Sequence, residues 1–288
     1  MISTNKNIID AVVIFTDKNL SKEAKDYFYS RKWNDSTISQ WRLGFFPSGK
    51  NSELFAEVYN MKLNKQELIN FKIMNLRERS FFFDRVIFPI HNSHGELIAI
   101  TGRVIKDVWD KSLFGPKYYN SAYDKGNNLF GLNFAIDTIR KSDIVYVFEG
   151  NADVITAHML GIKNVVGCQG TSFTKEHYAL LSRYTKNIVL IFDNGIGGTK
   201  ALGSFNKRSK DIFSKDISFV LNVSSKEVNI FIARLEDAKD PDEYLLKFGK
   251  DKFLKLIESQ ISNNKIQNNY RKITPPKVVN KNAKKRDV

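Results

Sequence analysis

The sequence predicts an α/β fold in two parts, a mixed α+β amino-terminal region followed by a parallel sheet flanked by helices. Three observations predict it. From residue 143 apolar runs alternate with helical patterns: "DIVYVFEG", "NADVITAHMLGI", "NVVGCQG", "TKEHYALLSRYTK" and "NIVLIFDNG". Continuous apolar strands separated by helices mark a parallel sheet covered on both faces. Before it, "FFFDRVIFPIHNSHGELIAITGRVI" (81–105) reads as two strands joined by the turn "NSHG". With 42% hydrophobic residues in a chain of 288, one large or two modest cores can be built.

The elements follow in order. Residues 22–46 carry apolar residues at helical spacing around Tyr27, Phe28, Ile38 and Trp41. "NDS" at 34–36 offers caps for the second helix of a short pair. A charge-laced helical stretch follows at about 52–79, then the two strands. "GPKYYNSAYDKGNNLFGL" reads as a polar loop with lysines and tyrosines, and "NFAIDTIRKS" (133–142) as a helix. The alternating part holds three strands, with a helix opened by Thr174 and another at about 197–214. "ISFVLNV" and "VNIFIARL" are β-rich, and "DEYLLKFGKDKFLKLIE" is a final helix. The expected divisions are 1–142, 143–262, and a basic disordered tail at 263–288.

Composition narrows the function. No run of about 18 apolar residues exists to cross a membrane. "IIDAVVIF" is interrupted by Asp10 and lacks a basic leader and a cleavage site, so no signal peptide is expected. A single cysteine, Cys168, excludes an internal disulfide framework and a multi-cysteine zinc site. Cys168 is expected to be packed rather than nucleophilic. His91 and His94 flank a turn without a third ligand nearby. The expected location is cytoplasmic. Net charge is +14, and residues 270–288 carry seven Lys or Arg against Asp287 alone. A basic body with a basic tail points to a polyanion partner, most often nucleic acid.

Against that positive charge stand three acidic clusters at sheet ends, where ligands of open α/β sheets collect. Glu149 ends one strand, with Asp153 a helical turn later; Asp193 ends another; Asp240 and Asp242 lie in "KDPDEYL". Carboxylates that converge repel one another unless a cation lies between them. Magnesium takes hard oxygen ligands, usually one or two carboxylates with waters and substrate phosphate. Each acid also has a plain structural use. Asp240-Pro241 is a strong helix start, Glu149 and Asp153 suit a helix N-terminus, and Asp193-Asn194-Gly195 suits a turn.

From about residue 20 to 258 the chain resembles the RNA-polymerase core of bacterial-type DNA primases, its carboxyl part their TOPRIM domain. The resemblance is carried by "FEGNADVI", "GCQGTSFTKEHYALL", "FDNGIGGTKAL" and "DAKDPDEYL", in that order. Upstream it is carried by "RVIFPIHNSHGELIAITGRV", "PKYYNS" and "KGNNLFGL". It implies that Glu149, Asp153, Asp193, Asp240 and Asp242 match acidic, metal-binding positions for Mg2+ or Mn2+, with Glu149 and Asp193 the leading catalytic pair. It implies that Arg85, Arg103, Lys117, Asn120 and Lys125 match a groove for template, nucleotide phosphates or new RNA.

Two departures stand out. Gly195 replaces the second aspartate of the aspartate-x-aspartate motif, and the family's acidic position seven residues after Asp193 holds Lys200. The cysteines of the family's amino-terminal zinc module are absent. The expectation is a primase core lacking that module, in a bacterial cell or infected bacterial host, making RNA primers on single-stranded DNA from ribonucleoside triphosphates. A replicative helicase and a separate zinc-binding subunit are the implied partners. A non-catalytic or weakly catalytic DNA-binding, helicase-associated subunit is the alternative that Gly195 favours. A TOPRIM nuclease or topoisomerase is a third, against which the long basic region argues.

Overall fold

The computed structural model describes residues 7–105, 115–170, 173–193, 228–235 and 237–269, without the side chains of 263–269. Asn7 opens helix α1 (Ile8–Lys18) through a reciprocal capping box with Asp10. The sequence reading passes over this helix, because its apolar residues run almost continuously. Ser21 caps α2 (Lys22–Ser30), and Asn34 caps α3 (Asp35–Gln40), as "NDS" suggested. Strand β1 (Gly44–Phe46) follows. The expected helix over 52–79 is instead two short helices, α4 (Asn51–Asn60) and α5 (Gln66–Asn70). Each is followed by a lysine with positive φ, Lys62 and Lys72. Beyond them the Asn75 side chain closes a turn by accepting the Arg77 and Arg79 amides.

Strands β2 (Arg85–His91) and β3 (Leu97–Val104) form the expected hairpin. Its turn is fixed by Asn92, which accepts the His94 and Glu96 amides, and by Gly95 at φ 84°. The "YYN" of the expected loop is a short edge strand, β4 (Tyr118–Asn120). The first sheet is antiparallel in the order β1-β2-β3-β4.

After α6 (Leu132–Ser142) come β5 (Val145–Phe148), α7 (Asn151–Met159), β6 (Val165–Gly167), α8 (Lys175–Leu181), β7 (Asn187–Ile191) and β8 (Asn229–Ala233). The second sheet is parallel throughout, ordered β6-β5-β7-β8. Thr174 caps α8 as expected. The final helix is broken at Gly249, φ 79°, into α9 (Pro241–Phe248) and α10 (Lys250–Asn269). Helix therefore replaces expected disorder as far as Asn269. The helix expected at 197–214, "ISFVLNV", Asn194, Gly195, Lys200 and the basic end of the chain lie outside the described residues.

One apolar core joins the two sheets. It packs Trp33, Trp41, Phe88 and Phe130 with Phe148, Val154 and Ile155 of the second half. Trp41 stacks on Phe130 at 5.0 Å, and the Trp33 indole donates to Thr156 Oγ1 at 2.9 Å. A second core lies between the far face of the antiparallel sheet and α1, α4 and α5; a third covers the other face of the parallel sheet. Among the described residues no helix is long and apolar enough to cross a membrane.

Candidate active site

The four parallel strands place their carboxyl ends on one edge, and a cavity of about 550 Å³ opens there against the antiparallel sheet. One wall comes from the segments that follow β5, β6 and β7: Glu149, Gln169 and Asp193, joined by Asp153 in the first turn of α7 and Asp240 at the start of α9. The opposite wall comes from β3, β4 and the loop beyond: Thr101, Arg103, Lys117, Tyr118, Asn120 and Lys125.

The acidic wall is built under tension. Glu149 Oε2 and Asp193 Oδ1 are buried and accept no hydrogen bond from the described residues. Burial raises the Glu149 carboxyl above its usual range. Burial, with Glu149 and Asp240 nearby, lifts Asp193 to about 6. Asp153, almost wholly buried, is pushed well up by burial and then by Asp193, Asp240 and Asp242, while the Asp242 amide donates to it at 3.2 Å. The Glu-Gly pair has a steric reason: a Cβ on Gly150 would lie 2.5 Å from Asp153 Oδ2. Glycine at 150 leaves room for the Asp153 carboxylate in the first turn of α7. Asp240 does what its sequence suggested, capping α9 through Oδ1 to the Glu243 amide at 2.9 Å, and it also lines the cavity.

Among the described residues no three acidic, histidine or cysteine side chains form a ready-made metal cage. Asp193 and Asp240 both push up the Asp153 carboxyl, and Asp240 also pushes up Asp193, so these acids lie near one another at this edge. These findings agree for an ion that takes one or two carboxylates and fills its shell with water and phosphate. The orphaned oxygens and the hard-oxygen donor set fit such an ion.

The basic wall follows from register. Thr101 pairs Asn120 and Arg103 pairs Tyr118, so these four share the face turned to the cavity. Arg103 lies over the Tyr27 ring at 4.7 Å and near Tyr118 at 5.9 Å. Lys117 is lowered by its burial and by Arg103, Lys239 and Arg31; Lys125 is lowered by burial.

The structure does not bring two of the sequence-derived residues to the cavity wall. Arg85 pairs Val104, one residue out of phase with Arg103, so it turns to the other face. There it is 1% exposed and donates from Nη1 to the Lys117 carbonyl at 3.0 Å. Asp242 is held by Arg31 at 2.9 Å and by the Thr156 hydroxyl. Arg31 itself lines the cavity and donates to Tyr27 Oη at 2.8 Å. Sequence reasoning missed Arg31, Gln169 and Lys239. Arg31 sits at a helix end, where a basic residue is unremarkable, and only the fold carries it 211 positions along the chain to Asp242.

Fold and cavity together define a two-sheet α/β core of the Toprim kind, with an acidic sheet edge facing a basic sheet. Residues 14–136 match the model of the DNA primase catalytic core, N-terminal domain, and residues 146–245 match a Toprim-like model. The chain belongs to the bacterial-type DNA primases, whose catalytic core it carries. It is 32% identical over 259 residues to a DNA primase of Clostridium acetobutylicum, covering 89% of this chain and 40% of the relative. The Aquifex aeolicus primase (zinc-binding and RNA polymerase domains) superposes with a TM-score of 0.71 at 29% identity, over 88% of this chain and 62% of that one. A DnaG primase catalytic domain bound to single-stranded DNA gives 0.70 at 26% identity, over 91% and 84%. The chain spans about two fifths of the length of the Clostridium relative. Toprim primases are generally metal-dependent.

Proposed function

We propose that this chain synthesises short RNA primers on single-stranded DNA. In the reaction a nucleotide 3′-hydroxyl attacks the α-phosphate of an incoming ribonucleoside triphosphate, and pyrophosphate leaves. One observation carries the reading: Glu149 and Asp193, each with one buried oxygen that has no partner among the described residues, line the same cavity as Arg103 and Lys117. A buried carboxylate left without a partner is costly unless a ligand completes it.

A divalent cation, Mg2+ or Mn2+, would neutralise charge on the triphosphate and lower the barrier to attack by the hydroxyl. Glu149, Asp193 and Asp240 would hold it, with Asp153 lining the same cavity from the first turn of α7. Asp242 contributes by position: fixed by Arg31 and Thr156, it presents its backbone amide to Asp153. Arg103, Lys117 and Lys125 hold phosphates, and Asn120, steadied by Thr101 at 2.7 Å, offers a neutral contact. Positioning and electrostatics supply most of the rate in such chemistry. The related domain bound to single-stranded DNA and the basic composition support the template assignment. A replicative helicase and a separate zinc-binding subunit complete the proposed assembly, in the cytoplasm of a bacterium or an infected bacterial host.

The test is primer synthesis on single-stranded DNA with labelled ribonucleotides and Mg2+ or Mn2+, for the wild type and Glu149→Ala. Products that vanish in the variant support the reading. Tight DNA binding without products from the wild type would replace it with the accessory role that Gly195 favours. Cleaved DNA would point to a nuclease.

A further inference from the structure

Strand β4 has two faces, and only one belongs to the cavity. Tyr118 and Asn120 turn to the cavity, while Tyr119 between them turns to the opposite side of the sheet. There Tyr119 stacks on Phe81, with ring centroids 5.0 Å apart and planes at 18°. Phe82 braces Tyr119 edge-on at 5.1 Å. The paired rings line a second groove, of about 660 Å³. Lys72, Arg77 and Leu76 flank it, and Leu76 is 83% exposed. Neither cation forms an ion pair with the described residues, and no carboxylate lines the groove.

Flat apolar rings beside unpaired cations match a partner that is itself flat and apolar in places and anionic in others. Single-stranded nucleic acid has that alternation: bases stack on aromatic rings while phosphates meet lysine and arginine. An acidic peptide would satisfy the cations but has no use for a stacked ring pair. The location supports the same partner. Among the described residues β4 is at the edge of its sheet, with Tyr118 in the cavity and Tyr119 in the groove, so one strand separates the two.

We propose that the Phe81–Tyr119 groove is a second contact for single-stranded nucleic acid, outside the catalytic cavity. It rests on the proposed function only for where the strand comes from; binding itself needs no catalysis.

The test is photocrosslinking of the full chain to strands carrying 5-iodouracil, without nucleotides, followed by peptide mapping. DNA and RNA strands are run in parallel to distinguish template from product. The expected result is adducts at Phe81 or Tyr119. Tyr119→Leu should weaken binding of a long oligothymidylate by about tenfold, as the loss of one stacked base implies. A dinucleotide, too short to reach past the cavity, should bind unchanged. The surface pair Lys72→Glu/Arg77→Glu, which leaves the ring packing intact, should weaken the long strand as well and covers the case in which Tyr119→Leu misfolds. Adducts confined to the cavity, with unchanged affinity in the folded variants, would overturn the proposal. Absent primer synthesis with adducts at Tyr119 would sink the catalytic reading and leave the groove standing.

Discussion

The two walls of the cavity were assembled by different rules. The acidic wall sits on a parallel sheet, where every strand ends at the same edge. Acids that follow successive strands therefore meet whatever the spacing between them. The basic wall sits on an antiparallel sheet, where facing alternates along each strand. Arg85 and Arg103 lie on paired strands, yet one residue of phase sends Arg103 to the cavity and Arg85 to the far face. Chain order alone thus predicts position in one wall, and register decides it in the other.

The comparison can be broken most sharply at Glu149. Glu149→Gln should cut primer synthesis by at least about a hundredfold. It should leave thermal stability unchanged or raise it, because a buried carboxylate with an unpartnered oxygen disappears. A stable but fully active variant would remove Glu149 from the chemistry.

The arginines offer the next test, a contrast within one hairpin. Arg103→Ala should weaken single-stranded DNA binding several-fold and lower its salt dependence by about one phosphate contact. Arg85→Ala should instead cost about 2 kcal/mol of stability through its lost charged hydrogen bond and stem packing. Urea melts and DNA titrations of both variants check this; equal effects on binding would mean that the register argument fails.

A smaller effect is expected at Gly150. Gly150→Ala drives a methyl group towards Asp153 Oδ2, and should destabilise by about 1–2 kcal/mol while weakening the divalent ion. Manganese binding followed by electron paramagnetic resonance reads out the second part.

Smallest is the pH response of the acidic wall. Burial, with Glu149 and Asp240 nearby, lifts the folded Asp193 carboxyl from the usual 3.8 to about 6. The folded state holds a proton that the unfolded chain releases, so without a divalent ion this group lowers stability as pH rises from about 4 to about 6. Added Mg2+ should therefore raise the melting temperature little below that range and more above it. Asp193→Asn should flatten this difference; an unchanged profile would assign the pH response elsewhere.

Much of the fold was readable in advance. The alternation after residue 143, the hairpin turn at "NSHG" and the caps at Asn34, Thr174 and Asp240 are local signals; the structure carries the turn and the caps, and the alternation from β5 to β7. Glu149, Asp153, Asp193 and Asp240 were readable because parallel topology turns chain order into spatial order. Arg85 and Asp242 fall outside the cavity lining, because their spacing said nothing about what they would face. Helix α1 escaped because its apolar run lacks a clear polar stripe, and the 52–79 stretch because tertiary packing let backbone turns at Lys62 and Lys72 divide it.

By itself, then, the sequence determined the succession of strands and helices, the acids at the ends of strands and the excess of positive charge, since these depend on neighbours a few residues away. The tertiary structure alone decided which face Arg103, Arg85 and Tyr119 present. It alone brought Arg31 to Asp242 and left oxygens of Glu149 and Asp193 without partners. Such facts depend on strand register and on contacts between residues far apart in the chain, which no local pattern encodes.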